Sequence, residues 1–479
     1  MPPLLLLFLQ ASAYQSGVQA YSEHRFEEAI PWFEKAAAGG SQALVAQFML
    51  GNACVQTHQD EKAVRAFAAL FQVGSDSAAA RLLTAGVMLR AKLPTGAATE
   101  AGRALEIDPH IPQAHFILGE AALSQGDDGK AVAELRKEIE ANPSFFMAYY
   151  RLGAAYVNRS AWDDAISALQ RSIWLNPSHS GPYTLIGKAY LKRGNLDDAA
   201  GALRHALQMD PQDRTIQQLL DQTQALPSRD RQGAVPPTPA TSPQTIGQSE
   251  YQEGHIQAAL LWLEKARAAG GRGNELFFML GNSYLQTHQI PKGRAAFADL
   301  YGVPPDSGAA HLFTAHMLIR LELEDDAQAE LEAALAREPK LPEAHFMLGE
   351  IAIYRAQLDR AVDELSLEIA LNPAFAMAYY RLGDAYTRRE DWEQAVPPLQ
   401  RAVWLDPTYS GPYILLGKTY LKKGDLPEAE RMLRRALQMD PKNASAHYLL
   451  GRTLIQSGHA EEGRKLLQRW EELRKESGQ

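Results

Sequence analysis

Two nested periods constrain this chain more than any other feature of its 479 residues. The short period is 34 residues. Pro109, Pro143, Pro177 and Pro211 stand on it, and so do Pro339, Pro373, Pro407 and Pro441. Gly17, Gly51, Gly119, Gly153 and Gly187 form a second column, with Ala85 at the one missing step. Gly247, Gly281, Gly349, Gly383, Gly417 and Gly451 carry that column through the later part of the chain. A third column is alanine: Ala29, Ala63, Ala97, Ala131, Ala165 and Ala199. The long period is 230 residues. Ser180-Gly181-Pro182-Tyr183 recurs as Ser410-Gly411-Pro412-Tyr413, and Tyr149-Tyr150-Arg151-Leu152-Gly153 recurs as Tyr379-Tyr380-Arg381-Leu382-Gly383. The two halves align without a gap over 16–211, and about half of the paired positions are identical.

Such periods mean stacked supersecondary units, none of which buries its apolar face alone. Tyr149, Leu152 and Tyr156 fall at i, i+3 and i+7, one face of a helix. Gly153 and Ala165 are small where two helices of one unit must approach closely. The turns between helices are polar, with Asn195 after Gly194 and Asp425 after Gly424. Each second helix should stop at Asn-Pro or Asp-Pro, because the residue before proline avoids the helical region. The fold class is therefore all-α.

These columns resemble the tetratricopeptide repeat family, whose unit is a helix–turn–helix of this length. The best-matching unit runs from Phe146 to His179, with Tyr149, Leu152, Gly153 and Tyr156 on its first helix, Ala165 and Leu169 on its second, and Pro177 at its close. The resemblance implies an α-solenoid, here two right-handed superhelical arrays joined by a linker. The expected division is an export segment over 1–13, a first array over 14–226 of about six repeats plus a capping helix, a proline-rich linker over 227–243, and a second array over 244–479 of about seven repeats. The linker contains Pro236-Pro237-Thr238-Pro239 and keeps no apolar period. The two arrays are expected to fold independently. The units near Gln10 and Leu44 have Ser41 and Ser75 in place of the closing proline.

Residues 4–9 are apolar and precede Ala11-Ser12-Ala13, a small-residue cleavage pattern. That predicts an exported, periplasmic or secreted bacterial protein; the alternative is an apolar start to the first helix of a cytoplasmic one. Past this segment no uncharged apolar run is long enough to span a membrane. The net charge of −9 argues against a general nucleic-acid binder. The single cysteine, Cys54, excludes an intrachain disulfide and sits in the Tyr156 column as a packing residue. Gly181 to Lys188 is a residue too long for a phosphate-binding loop and follows a helix end. The 13 histidines show no zinc-protease spacing, and His115 and His345 take the Tyr149 column. No catalytic constellation, cofactor motif or metal motif is expected.

The resemblance instead implies a non-catalytic scaffold or adaptor that holds protein or peptide segments along its first helices. Residues flanking the core columns are the candidate groove contacts: Phe48, Asn52, Phe116, Tyr150, Arg151, Lys188 and Lys192, and their counterparts Phe278, Asn282, Phe346, Tyr380, Arg381, Lys418 and Lys422. Arg151, Lys188 and Lys192 beside Tyr150 suit an acidic segment. The same residues could be solvated helix surface. The competing reading is a self-assembling structural protein, or an accessory subunit of an envelope, secretion or polysaccharide machine. Oligomeric state is left open.

Overall fold

A computed structural model describes residues 3–39, 42–225 and 242–476, with side chains before Ala13 and those of residues 224 and 225 outside the description. The described residues form 27 α-helices and no strand, from Pro3–Ser22 to Ala460–Glu476. They alternate as the 34-residue grid requires. Helix Phe146–Asn158 is followed by Trp162–Leu175, then Ser180–Arg193 and Leu196–Met209. The chain is an all-α solenoid of helix–turn–helix repeats. The linker expected over 227–243 falls almost wholly outside the described residues, as do the side chains of the export segment except Ala13. No described helix is long and apolar enough to cross a membrane.

The sequence columns have direct steric causes. A Cβ on Gly153 would come within 2.5 Å of Leu169, and one on Gly383 within 2.4 Å of Leu399. The glycine column thus lets the second helix of each repeat press its large apolar residue against the first helix's backbone. Ala165 and Ala395, both fully buried, complete that contact. Helix Ser180–Arg193 ends at Gly194, whose φ of 85° is the left-handed conformation that closes a helix at little cost for glycine. Helices Trp162–Leu175 and Trp392–Leu405 stop at Asn176 and Asp406, the residues before proline.

The chain divides into two compact units that cut across the two sequence halves. A terminal unit gathers residues 1–92, 103–111 and 345–479, and a central unit gathers 93–102 and 112–344. Each unit therefore contains a seam where one half of the duplication meets the other. In the terminal unit Phe48 stacks on Trp404 with ring centroids 5.1 Å apart and planes 12° apart. Phe71 meets Tyr379 edge-on at 5.9 Å. Arg90 donates to the carbonyls of Trp404 and Leu405 at 3.0 and 3.2 Å, and Arg401 Nε donates to the Leu70 carbonyl at 3.1 Å.

In the central unit Phe278 stacks on Trp174, 4.6 Å apart and 9° off parallel. Tyr301 meets Tyr149 at 6.2 Å, and Arg320 donates to the Trp174 carbonyl at 2.7 Å. The Phe/Trp stacks, the Phe71–Tyr379 and Tyr301–Tyr149 contacts and the Arg90 and Arg320 bonds are pairs in which a contact between i and j returns, 230 positions away, as one between j and i; the Arg401–Leu70 bond does not return, for the Arg171 Nε is buried without a partner. That reciprocity is the signature of an isologous interface, here made within one chain. The arginines have a local reason to be there. The last carbonyls of a helix lack intrahelical donors and carry partial negative charge, which Arg90 and Arg320 meet.

Candidate protein-binding surfaces

The first-helix residues singled out from the sequence fall into two groups. Phe48 and Phe278 belong to the seams, so their rings face Trp404 and Trp174 of the chain itself. Asn52 and Asn282 turn back on their own helices, donating to the carbonyls of Phe48 and Phe278 at 2.8 and 2.9 Å. All four lie on first helices, Ala43–Gln56 and Asn274–Gln286. Spacing could not show that tryptophans of the other half stack on Phe48 and Phe278.

The second group lies away from those stacks. Phe116 packs edge-on against Phe145, and Phe346 against Phe375, both at about 5 Å. Tyr150 lies 5.2 Å from the His179 ring, and Tyr380 5.2 Å from Tyr409. The guanidinium of Arg151 sits over the Tyr150 ring at 5.1 Å, and Arg381 over Tyr380 at 5.2 Å. Gly181 lies against Tyr150: a Cβ there would come within 2.6 Å of the phenol oxygen. In the first half the Tyr-Tyr-Arg and Ser-Gly-Pro-Tyr segments thus meet at Tyr150 and Gly181; in the second half Tyr380 meets Tyr409, whose own ring lies against Gly411.

Its charge is less positive than the sequence implied. Arg151 Nε lies 3.0 Å from Glu120 Oε1 in an ion pair whose N–H does not point at the oxygen. Arg381 pairs with Glu350 at 2.8 Å. Burial pushes both glutamates above the usual carboxylate range, and the adjacent arginine pulls each back. Asp384, where the first half has Ala154, also binds Arg388 at 3.1 Å. The uncommitted cations are Lys188, Lys192 and Lys418, for which no carboxylate lies within ion-pair distance among the described residues. Lys422 sits 5.9 Å from the Trp392 ring.

Other residues read from the sequence are structural. His115 and His345 each bond a glutamate of the same repeat's second helix, Glu134 and Glu364, at 2.7 and 2.8 Å. Cys54 is fully buried, and burial pushes its thiol up to about 11, which keeps it protonated and unreactive at neutral pH. Glu138 is buried, accepts from the backbone N–H groups of Gln113 and Phe116, and is pushed up to about 7 by that burial. It caps the start of helix Ala114–Ser124.

Sequence reasoning missed the seam residues Trp174, Trp404, Arg90 and Arg320. A signal existed. All four lie outside the repeat columns yet are kept in both halves, and a large aromatic kept off the core columns needs a partner.

Tetratricopeptide repeat models match residues 157–222 and 420–477, residues 48–110, 102–145 and 129–183, and residues 378–413. No curated protein matches the chain. Solved structures that resemble it include MamA 41-end from Desulfovibrio magneticus RS-1, at 21% identity and a TM-score of 0.34, covering 35% of this chain and 96% of that one. YrrB, a TPR protein with an unusual peptide-binding site, matches at 22% identity and a TM-score of 0.32 over 34% of this chain and 84% of its own. A chain of the Naa15/Naa10 structure bound to HypK-THB matches at 12% identity and a TM-score of 0.36, over 97% of this chain and 94% of its own. The matched repeat segments together span more than half of the sequence and coincide with the helix pairs described above, and on that ground the chain belongs to the tetratricopeptide repeat family.

Proposed function

We propose that the chain is a non-catalytic scaffold that holds segments of other proteins along the first-helix faces carrying Tyr150, Arg151, Lys188 and Lys192, and Tyr380, Arg381, Lys418 and Lys422. Membership of a repeat family built for protein interaction supports the general reading. The observation that carries the finer one is the set of lysines without carboxylate partners on the first helices that follow those bearing the stacked Tyr/Arg pairs. An acidic segment would supply the missing charge, and the aromatic ring would pack its apolar stems. Two such faces on one chain would give avidity for a two-site partner. Charge reversal of Arg151, Lys188 and Lys192 together is expected to leave helicity intact and to reduce capture of native partners by the purified chain several-fold. Equal capture by the triple variant would return these residues to solvated surface.

A self-assembling role is the second reading, favoured by the use of Phe48 and Phe278 inside the chain. Light scattering separates the two: a dilute monomer supports the scaffold, and a concentration-dependent oligomer supports self-assembly. Export belongs to the proposal as well. The N-terminal sequence of the protein purified from its host would begin after Ala13 if it is exported.

A further inference from the structure

The two seams differ at one spot in charge and in hydrogen bonding. In the central unit Gln170 Nε2 lies 3.2 Å from the Glu275 carboxylate and 3.5 Å from the Tyr190 phenol oxygen. Burial raises the Tyr190 phenol to about 12, and Glu275 adds to the shift, as a nearby negative charge must. The terminal unit repeats this arrangement with the carboxylate removed. Gln400 and Tyr420 replace Gln170 and Tyr190, but Val45 stands where the central unit has Glu275. Gln400 Nε2 lies 3.0 Å from Tyr420 Oη, and its carboxamide oxygen is buried without a hydrogen-bond partner.

An open cleft of about 330 Å³ occupies this place. Val45, Val403, Trp404, Leu416 and Met432 give it apolar walls, and Arg431 and Arg435 stand at its margin. The central unit has Gly201 and His205 at the two arginine positions. Arg431 pairs with Glu428 on the helix surface. Arg435 donates only to Gln438, at 3.1 Å, and has no carboxylate partner among the described residues. One copy of the site therefore contains its own carboxylate, while the other has valine there and two arginines nearby. Turning the Gln400 carboxamide over would let Tyr420 donate to its oxygen and put an NH₂ donor where the unpartnered oxygen stands, in a residue that lines the cleft.

We infer that this cleft of the terminal unit binds an acidic segment of another protein, with a carboxylate on Gln400 and Arg435 and a neighbouring apolar side chain against Trp404 and Met432. The inference rests on the scaffold reading but on none of its first-helix residues.

Fluorescence anisotropy with the full chain and a dye-labelled hexapeptide, EEFEEL, tests it, with QQFQQL as the uncharged control. EEFEEL is expected to bind, and QQFQQL to bind about tenfold or more weakly. Val45→Glu supplies the internal carboxylate of the central unit and should weaken EEFEEL about tenfold, as should Arg435→Glu. The triple reversal at Arg151, Lys188 and Lys192 should change this binding less than about twofold. Absence of EEFEEL binding, or binding indifferent to both Val45→Glu and Arg435→Glu, overturns the inference. Binding lost only in the triple reversal overturns it too, while leaving the first-helix reading standing. Circular dichroism identifies a misfolded Val45→Glu chain, in which case Arg435→Glu, an exposed change, decides.

Discussion

The terminal and central seams are two versions of one contact. Both keep the stacked Phe/Trp pair and an arginine on the last carbonyls of the tryptophan helix. Around those anchors they diverge. The central seam is polar: Asn274 donates to Ser167 at 2.8 Å, Gln170 to Glu275 at 3.2 Å, and His316 bonds the Leu175 carbonyl at 2.9 Å. At the same positions the terminal seam has Leu44 and Pro397, Val45 and Gln400, and Gly86. A duplicated interface held by one chain keeps what anchors it and is free to change the remainder in each copy. The central copy has hydrogen bonds at these positions. The terminal copy has apolar residues at most of them, keeps its own bond from Arg401 to the Leu70 carbonyl, and has a cleft beside Gln400.

The largest test of this comparison breaks both anchors. Cleavage within 236–239 should leave the two halves of the wild-type chain eluting together, held by both seams. The same cut in a Trp174→Ala/Trp404→Ala chain should release them as separate species in size-exclusion chromatography. Release of the wild-type halves after cleavage would show that the seams do not hold the halves without the covalent link.

Single truncations should sort the seams. Trp404 is nearly buried, so Trp404→Ala should cost about 3–5 kcal/mol in denaturant unfolding. Trp174 is only half-buried and has polar neighbours to support its seam, so Trp174→Ala should cost about half as much. Equal losses would mean that the polar contacts of the central seam contribute little.

Removing the arginines should have smaller effects. Arg90→Met strips the donors from the Trp404 and Leu405 carbonyls and should cost about 1 kcal/mol. Arg320→Met should cost less, because His316 still serves Leu175.

The smallest effect is a dependence on pH. Burial holds the His316 imidazole down to about 4, against the opposing bond to Leu175. The unfolded chain binds a proton near the ordinary histidine value of about 6.5, so the folded state loses ground as pH falls from there toward 4. Melting temperatures at pH 7 and pH 5 should therefore differ less in His316→Gln than in the wild type. An unchanged difference would assign the acid sensitivity elsewhere.

Most of the architecture was legible because a repeat writes its packing into fixed columns. The Gly153–Leu169 approach and the Asn176-Pro177 stop are local, and locality is what spacing records. The Tyr150–Arg151 surface was legible for the same reason: its parts lie on neighbouring repeats. The Glu120–Arg151 pair was harder to find, since both residues occur in the right places but only their side-chain directions bring them together.

By itself the sequence determined the helical repeat, its period, the duplication and the residues on the first-helix faces. Only the tertiary structure decided that Phe48 and Phe278 face tryptophans of the other half, and that the compact units cut across the halves. The physical reason is range. Columns 34 residues apart encode contacts between adjacent repeats, whereas Phe48 and Trp404 meet across most of the chain, and no periodicity relates a residue to a partner chosen by the fit of two finished surfaces.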